Sequence, residues 1–135
     1  MAVIYVARSE TVTEWASDVG LGKNIFKVGV GESDEAVLAE LNTGICGGTD
    51  WTVVKSADAG ELTDEQAVER LAKREKIIDP KFYPRLRGTM GLFRIKIENV
   101  ENSALLKKAL EGMQIAALKL KPVDIADYLI TNAQR

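Results

Sequence analysis

The sequence predicts an α+β fold: one small mixed or antiparallel sheet flanked by helices, in a single domain that closes with C-terminal helices. Three observations carry this. Residues 25–31 and 92–98 alternate apolar side chains with polar or glycine positions, the pattern of half-buried strands, and 2–7 is a dense β-branched run. Between such runs lie apolar stripes at helical spacing with recognisable helix starts, the clearest at Thr63-Asp64-Glu65-Gln66. The third is bulk: 135 residues, 46% of them hydrophobic, suffice for one core without metal or disulfide staples.

In chain order, Ala2-Val3-Ile4-Tyr5-Val6-Ala7 reads as a buried first strand that carries a phenol. Thr13 offers a cap to a helical turn with Trp15, Ala16 and Val19, which Gly20-Leu21-Gly22 ends. In the second strand Phe26, Val28 and Val30 alternate with Lys27 and Gly29, and Gly29 and Gly31 let a backbone or ligand approach closely. Ser33 then starts a helix with Asp34 and Glu35 in its first turn and Val37, Leu38 and Leu41 as its stripe; Gly44 stops it. After a glycine-rich loop, 50–56 reads as a third strand, partly buried on both faces.

The Thr63–Gln66 capping box opens the next helix, with Leu62 placed to staple onto Ala67. Ala67, Val68, Leu71, Ala72 and Ile78 share one face, and at about 100° per residue Glu75 falls near its middle while Glu69 points away. A carboxylate at the centre of an apolar stripe is either functional or a sign that the helix ends first, since Asp79-Pro80 resists helix just beyond. Residues 80–91 form a loop with Lys81, Arg85, Arg87, Phe82 and Tyr83, the one local basic patch. In 92–98, Phe93, Ile95 and Ile97 point inward and Arg94, Lys96 and Glu98 outward. Asn102 or Ser103 starts a helix that Gly112 closes; 113–120 is apolar and helical; Asp124 starts a last helix with Ile125, Tyr128 and Leu129.

Composition narrows the chemistry. A formal net charge of −2 gives no global attraction to nucleic acid, so phosphate binding needs a local patch. With no histidine, serine–histidine triads, histidine zinc sites and histidine bases are excluded, leaving carboxylates, Tyr, Lys and Arg. Cys46 is the single cysteine, which rules out an internal disulfide and fits a reducing compartment; beside glycines and with no histidine to activate it, it reads as a small packed side chain. No apolar run reaches the roughly 20 residues of a membrane span, and the N-terminus has no signal-peptide pattern. The expected location is the cytoplasm, away from membranes.

Ile4-Tyr5 in a first strand, Lys27-Val28-Gly29 in a second, a helix ending Glu40-Leu41-Asn42-Thr43-Gly44, and Trp51-Thr52-Val53-Val54 stand in an order that resembles the GIY-YIG endonuclease family. The likeness is to its phage and bacterial branch, whose second motif reads Lys-Ile-Gly. Glu75 with Ile78 and Phe82, then Arg85, Arg87, Gly88 and Phe93, look like that branch's glutamate helix and following strand. The resemblance implies a GIY-YIG-like domain over 2–98, with 99–135 a helical extension packed on it. It also implies phosphodiester hydrolysis of DNA with one Mg²⁺ or Mn²⁺. By position, Tyr5 would help activate the attacking water beside Lys27, Glu75 would hold the metal with Glu69 as its substitute, and Gly29, Arg85 and Arg87 would contact nucleic acid.

The pattern is incomplete. The family's helix arginine falls at Val37, whose neighbours Leu38 and Ala39 cannot replace a guanidinium, and its histidine falls at Asp79. Loss of such a preorganised contact is worth about 3 kcal/mol, roughly a hundredfold or more in rate. Three readings therefore stand: a degenerate nuclease, a non-catalytic nucleic-acid-binding or protein-interaction module on the same scaffold, and an unrelated α+β protein, oligomeric through 113–120.

Overall fold

The computed structural model describes residues 2–22, 24–80, 82–83, 86, 90–95, 98–100 and 122–134. The chain runs β1 (Val3–Arg8), α1 (Glu10–Asp18), β2 (Ile25–Gly31), α2 (Asp34–Leu41), a 3-10 turn (Ile45–Gly47), β3 (Thr52–Asp58), α3 (Asp64–Ala72), β4 (Lys76–Ile77) and β5 (Leu92–Arg94). A final helix covers Pro122–Ala133. The strands form one antiparallel sheet in the order β3-β1-β2-β5-β4, so the α+β class and its antiparallel form are as the sequence predicts.

Strand parity divides the core. Ile4, Val6, Phe26, Val28 and Phe93 face one side, under Ala67, Val68 and Leu71 of α3 and Ile125, Ala126 and Leu129 of the final helix. Tyr5, Ala7, Ile25 and Leu92 face the other, under Val12 and Ala16 of α1 and Val37 and Leu41 of α2. β1 is covered on both faces, which is why its run is apolar without alternation. Along its β3 edge, Ala7 pairs Val53 and Val6 pairs Lys55, so Val54 is the extra residue of a β-bulge.

Local details depart from expectation. The N-cap of α1 is Ser9, whose Oγ accepts from Val12 N at 3.2 Å; Thr13 lies inside the helix and its hydroxyl donates back to Ser9 O at 2.8 Å. The Ser9 hydroxyl also donates to Asp50, tying α1 to the loop before β3. Asn42, just past α2, accepts from Trp51 N at 2.7 Å and donates to Trp51 O at 3.3 Å, pairing with that backbone as a strand would. The Leu-Asn signature of the resemblance thus has a structural task here.

The capping box of α3 is present, with Thr63 and Gln66 exchanging side-chain and backbone bonds. That helix ends at Ala72 rather than reaching Ile78, and a two-residue strand, β4, follows on the far edge of the sheet. β5 is shorter than the alternation over 92–98 predicts, stopping at Arg94, and Glu98 is helical. The predicted helix from Asn102 or Ser103 and the apolar 113–120 segment lie outside the described residues. No described helix is long and apolar enough to cross a membrane.

Candidate functional site

Tyr5, Lys27 and Gly29 are brought together by register. Gly29 pairs directly with Tyr5 across β1 and β2, Lys27 pairs with Ala7 two positions along, and equal parity sends all three to the α1–α2 face. A Cβ built on Gly29 would lie 2.8 Å from the Tyr5 Oη and 2.6 Å from an Asp64 carboxylate oxygen, so only glycine leaves the phenol its place. Lys27 Nζ donates to Tyr5 Oη at 3.3 Å and to Val28 O at 3.2 Å. Both side chains are 6% exposed. Because the phenol oxygen accepts from the amine, its own O–H remains a donor for another group.

Asp64, which the sequence reading did not single out, enters from α3. β5 covers only the first half of β2: Gly91 O still accepts from Val28 N at 2.8 Å, but the next outward N–H, that of Val30, has no strand opposite it. An Asp64 carboxylate oxygen accepts it at 2.9 Å, placed there by the cap on the preceding residue. Glu40, Leu41 and Ile45 complete the wall of a cleft of about 270 Å³ that Tyr5, Lys27, Val30 and Asp64 line. The legible signal for Asp64 was an acid in the first turn of a well-capped helix, which is common; its meeting with β2 is set by the fold.

Electrostatics in the cleft follow from burial with two carboxylates nearby. Burial first, then Asp64 and Glu40, push the Tyr5 phenol far above its ordinary 10.0 and keep it protonated. Burial pulls the Lys27 amine below its ordinary 10.5, and the nearby Asp64, Cys46 and Glu40 offset only part of that. Cys46 is a buried thiol outside any disulfide, with a positive φ of 56°, in the same apolar cluster as Tyr5. Val37, at the position of the family's arginine, is buried against Gly31, whose missing side chain admits its Cγ2.

Glu75 stands elsewhere. It is 4% exposed, and its Oε1 accepts from Tyr128 O–H at 2.8 Å and from Asn99 Nδ2 at 3.5 Å. Tyr128 belongs to the final helix and packs on the α3 side of the sheet, the face opposite Tyr5 and Lys27. The expected convergence of Tyr5 and Glu75 therefore does not occur: with α3 ended at Ala72, the apolar stripe no longer sets the direction of Glu75, and its carboxylate turns to the final helix. Glu69 is exposed on α3, pointing away as its spacing predicts. Arg85 and Arg87 lie outside the described residues. Among the described residues no group of three or more His, Cys, Asp or Glu could hold a metal ion. A Glu75 carboxylate enclosed by Tyr128 and Asn99 does not fit a Mg²⁺ or Mn²⁺ centre shared with Tyr5.

The Tyr128 contact has a measurable consequence. Burial and the bond to Glu75 push its phenol up to about 12 from 10.0. A raised folded-state pKa means that the neutral phenol's contribution is complete below pH 10 and is lost as pH climbs toward 12. Urea midpoints measured across this window should fall with rising pH, and Tyr128→Phe should flatten part of the fall. A Tyr128→Phe profile parallel to wild type would contradict the assignment.

Comparison with protein-family models, with curated proteins and with solved structures finds no match to this chain.

Proposed function

We propose that this chain is a non-hydrolytic binding module that takes a small polar ligand in the cleft between β2, α2 and the start of α3. The observation that supports this best is the segregation of groups. A buried amine, a phenol and two carboxylates line one concave surface, while the glutamate that would carry metal chemistry is bonded to Tyr128 and Asn99 on the other face. Asp64 and Glu40 favour a ligand with a hydroxyl or cationic amine and disfavour phosphate, so this reading assigns the cleft no DNA backbone. A cytosolic setting belongs to the same proposal and rests on Cys46 being the single cysteine of the sequence, which leaves no internal disulfide to form. The nuclease reading then rests on the resemblance alone.

The test compares two probes by amide chemical shifts. Ethanolamine should move Val30, Leu41, Ile45 and Asp64, while ethyl phosphate at equal concentration leaves them in place. In parallel, supercoiled plasmid with Mg²⁺ or Mn²⁺ should show no nicking that Glu75→Gln abolishes. Unmoved cleft resonances with ethanolamine, or nicking that depends on Glu75, would overturn the proposal.

A further inference from the structure

We propose that Lys27 is a nucleophilic amine and that the cleft captures a small aldehyde or ketone carrying hydroxyl or amino groups, as an imine on Lys27 Nζ. The inference rests on the binding reading above and assigns its ligand class. Lys27 lines the cleft yet is 6% exposed, the arrangement that withdraws an amine from water while leaving one side open to a ligand. Its Nζ is held by donation to Tyr5 Oη at 3.3 Å and Val28 O at 3.2 Å, which fixes its position without requiring a salt bridge. A Cβ on Gly91 would stand 2.9 Å from Nζ, so glycine there leaves the amine its place. A Cβ on Gly29 would stand 2.8 Å from Oη, so glycine there leaves the phenol its place beside the amine.

A carbonyl suits these groups better than the alternatives. Glu40 and Asp64 oppose an anion, and the cleft of about 270 Å³ admits only a small molecule. A neutral carbonyl meets no such penalty, and hydroxyl or amino groups on it find acceptors in the two carboxylates. Burial, which lowers the Lys27 pKa, favours the free-base form that attack requires.

The step balances without a further reagent. The Nζ lone pair forms a C–N bond to the carbonyl carbon as the C=O π pair moves to oxygen. Tyr5 gives its phenolic proton to that oxygen and regains one from nitrogen, giving a carbinolamine. Loss of the hydroxyl with one proton, as water, leaves C=N: amine plus carbonyl becomes imine plus water, with no change of oxidation state. Tyr5 is placed for both transfers by its contact with Nζ, and burial keeps the phenol protonated, so the proton it gives is in place.

The test uses the full chain with glycolaldehyde as probe and cyanoborohydride to trap the imine, followed by peptide mapping over time. Lys27 should be alkylated about tenfold or more faster than the exposed Lys73 and Lys76. Tyr5→Phe should slow Lys27 roughly a hundredfold and leave Lys73 and Lys76 unchanged. The wild-type comparison stands by itself should Tyr5→Phe fold poorly. Labelling of Lys27 no faster than of Lys73 and Lys76 overturns the inference. If ethanolamine still moves the cleft resonances, that failure belongs to the amine chemistry alone; if it does not, the binding reading falls with it.

Discussion

Gly91→Ala should lower the free energy of unfolding by about 3 kcal/mol or more, read from urea midpoints at unchanged slope. Two costs combine. The backbone at Gly91 has φ +95°, a region in which a side chain is strained by about 1–3 kcal/mol. The new Cβ would also sit 2.5 Å from Val28 O and 2.9 Å from Lys27 Nζ. The first of these atoms is backbone and cannot swing aside, so relief requires moving the segment whose Gly91 O accepts from Val28 N, a bond that ties β5's entry to β2. The same shift would disturb the amine, coupling sheet integrity to the cleft. A loss under about 1 kcal/mol would show that Gly91 is not the close approach described.

Phe93→Ala should cost about 3–5 kcal/mol. Phe93, on β5 beside Phe26 of β2, is fully buried on the sheet face covered by α3 and the final helix, in a cluster with Leu71, Val100 and Leu129. Its removal loses apolar burial and leaves a cavity that side chains anchored on several elements cannot close. Phe82→Ala is the control: at 76% exposure the same truncation should change stability by no more than about 0.5 kcal/mol. Equal costs at the two positions would contradict the placement of the core.

What could be read in advance follows the range of the forces involved. β2 and the start of α3 were legible because alternation and a capping box are local, written within a few residues. β4 was not: two residues carry no periodicity, and Lys76–Ile77 is a strand only because β5 offers an edge. The alternation over 92–98 predicts a longer strand than β5, which ends at Arg94 although Ile95 remains buried and still donates its N–H to Asn24 O at 2.9 Å. The half of the site on β1 and β2 is legible in the sequence, because two strands with Lys27 and Gly29 at equal parity send both to one face. Asp64 was not, since its bond to Val30 joins residues 34 apart in the chain. For Glu75 the sequence leaves two readings open, a carboxylate on the helix face or a helix that ends before it, and the second holds, because α3 stops at Ala72.

The same geometry explains why a resemblance in motif order need not preserve its chemistry. Tyr5, Lys27 and Gly29 stand together because strand pairing enforces it. The arginine position is packed by Val37 against Gly31, and the glutamate position is turned to Tyr128. What remains around the phenol is an amine with two carboxylates, which suits proton exchange and ligand binding.

The titration of Lys27 reads this arrangement most directly, followed by NMR through its side-chain carbon bonded to Nζ. The account predicts a midpoint below the ordinary 10.5, because burial outweighs the pull of Asp64, Cys46 and Glu40. A Lys27 midpoint at or above 10.5 would mean an amine standing in water, and the cleft as described here would be wrong.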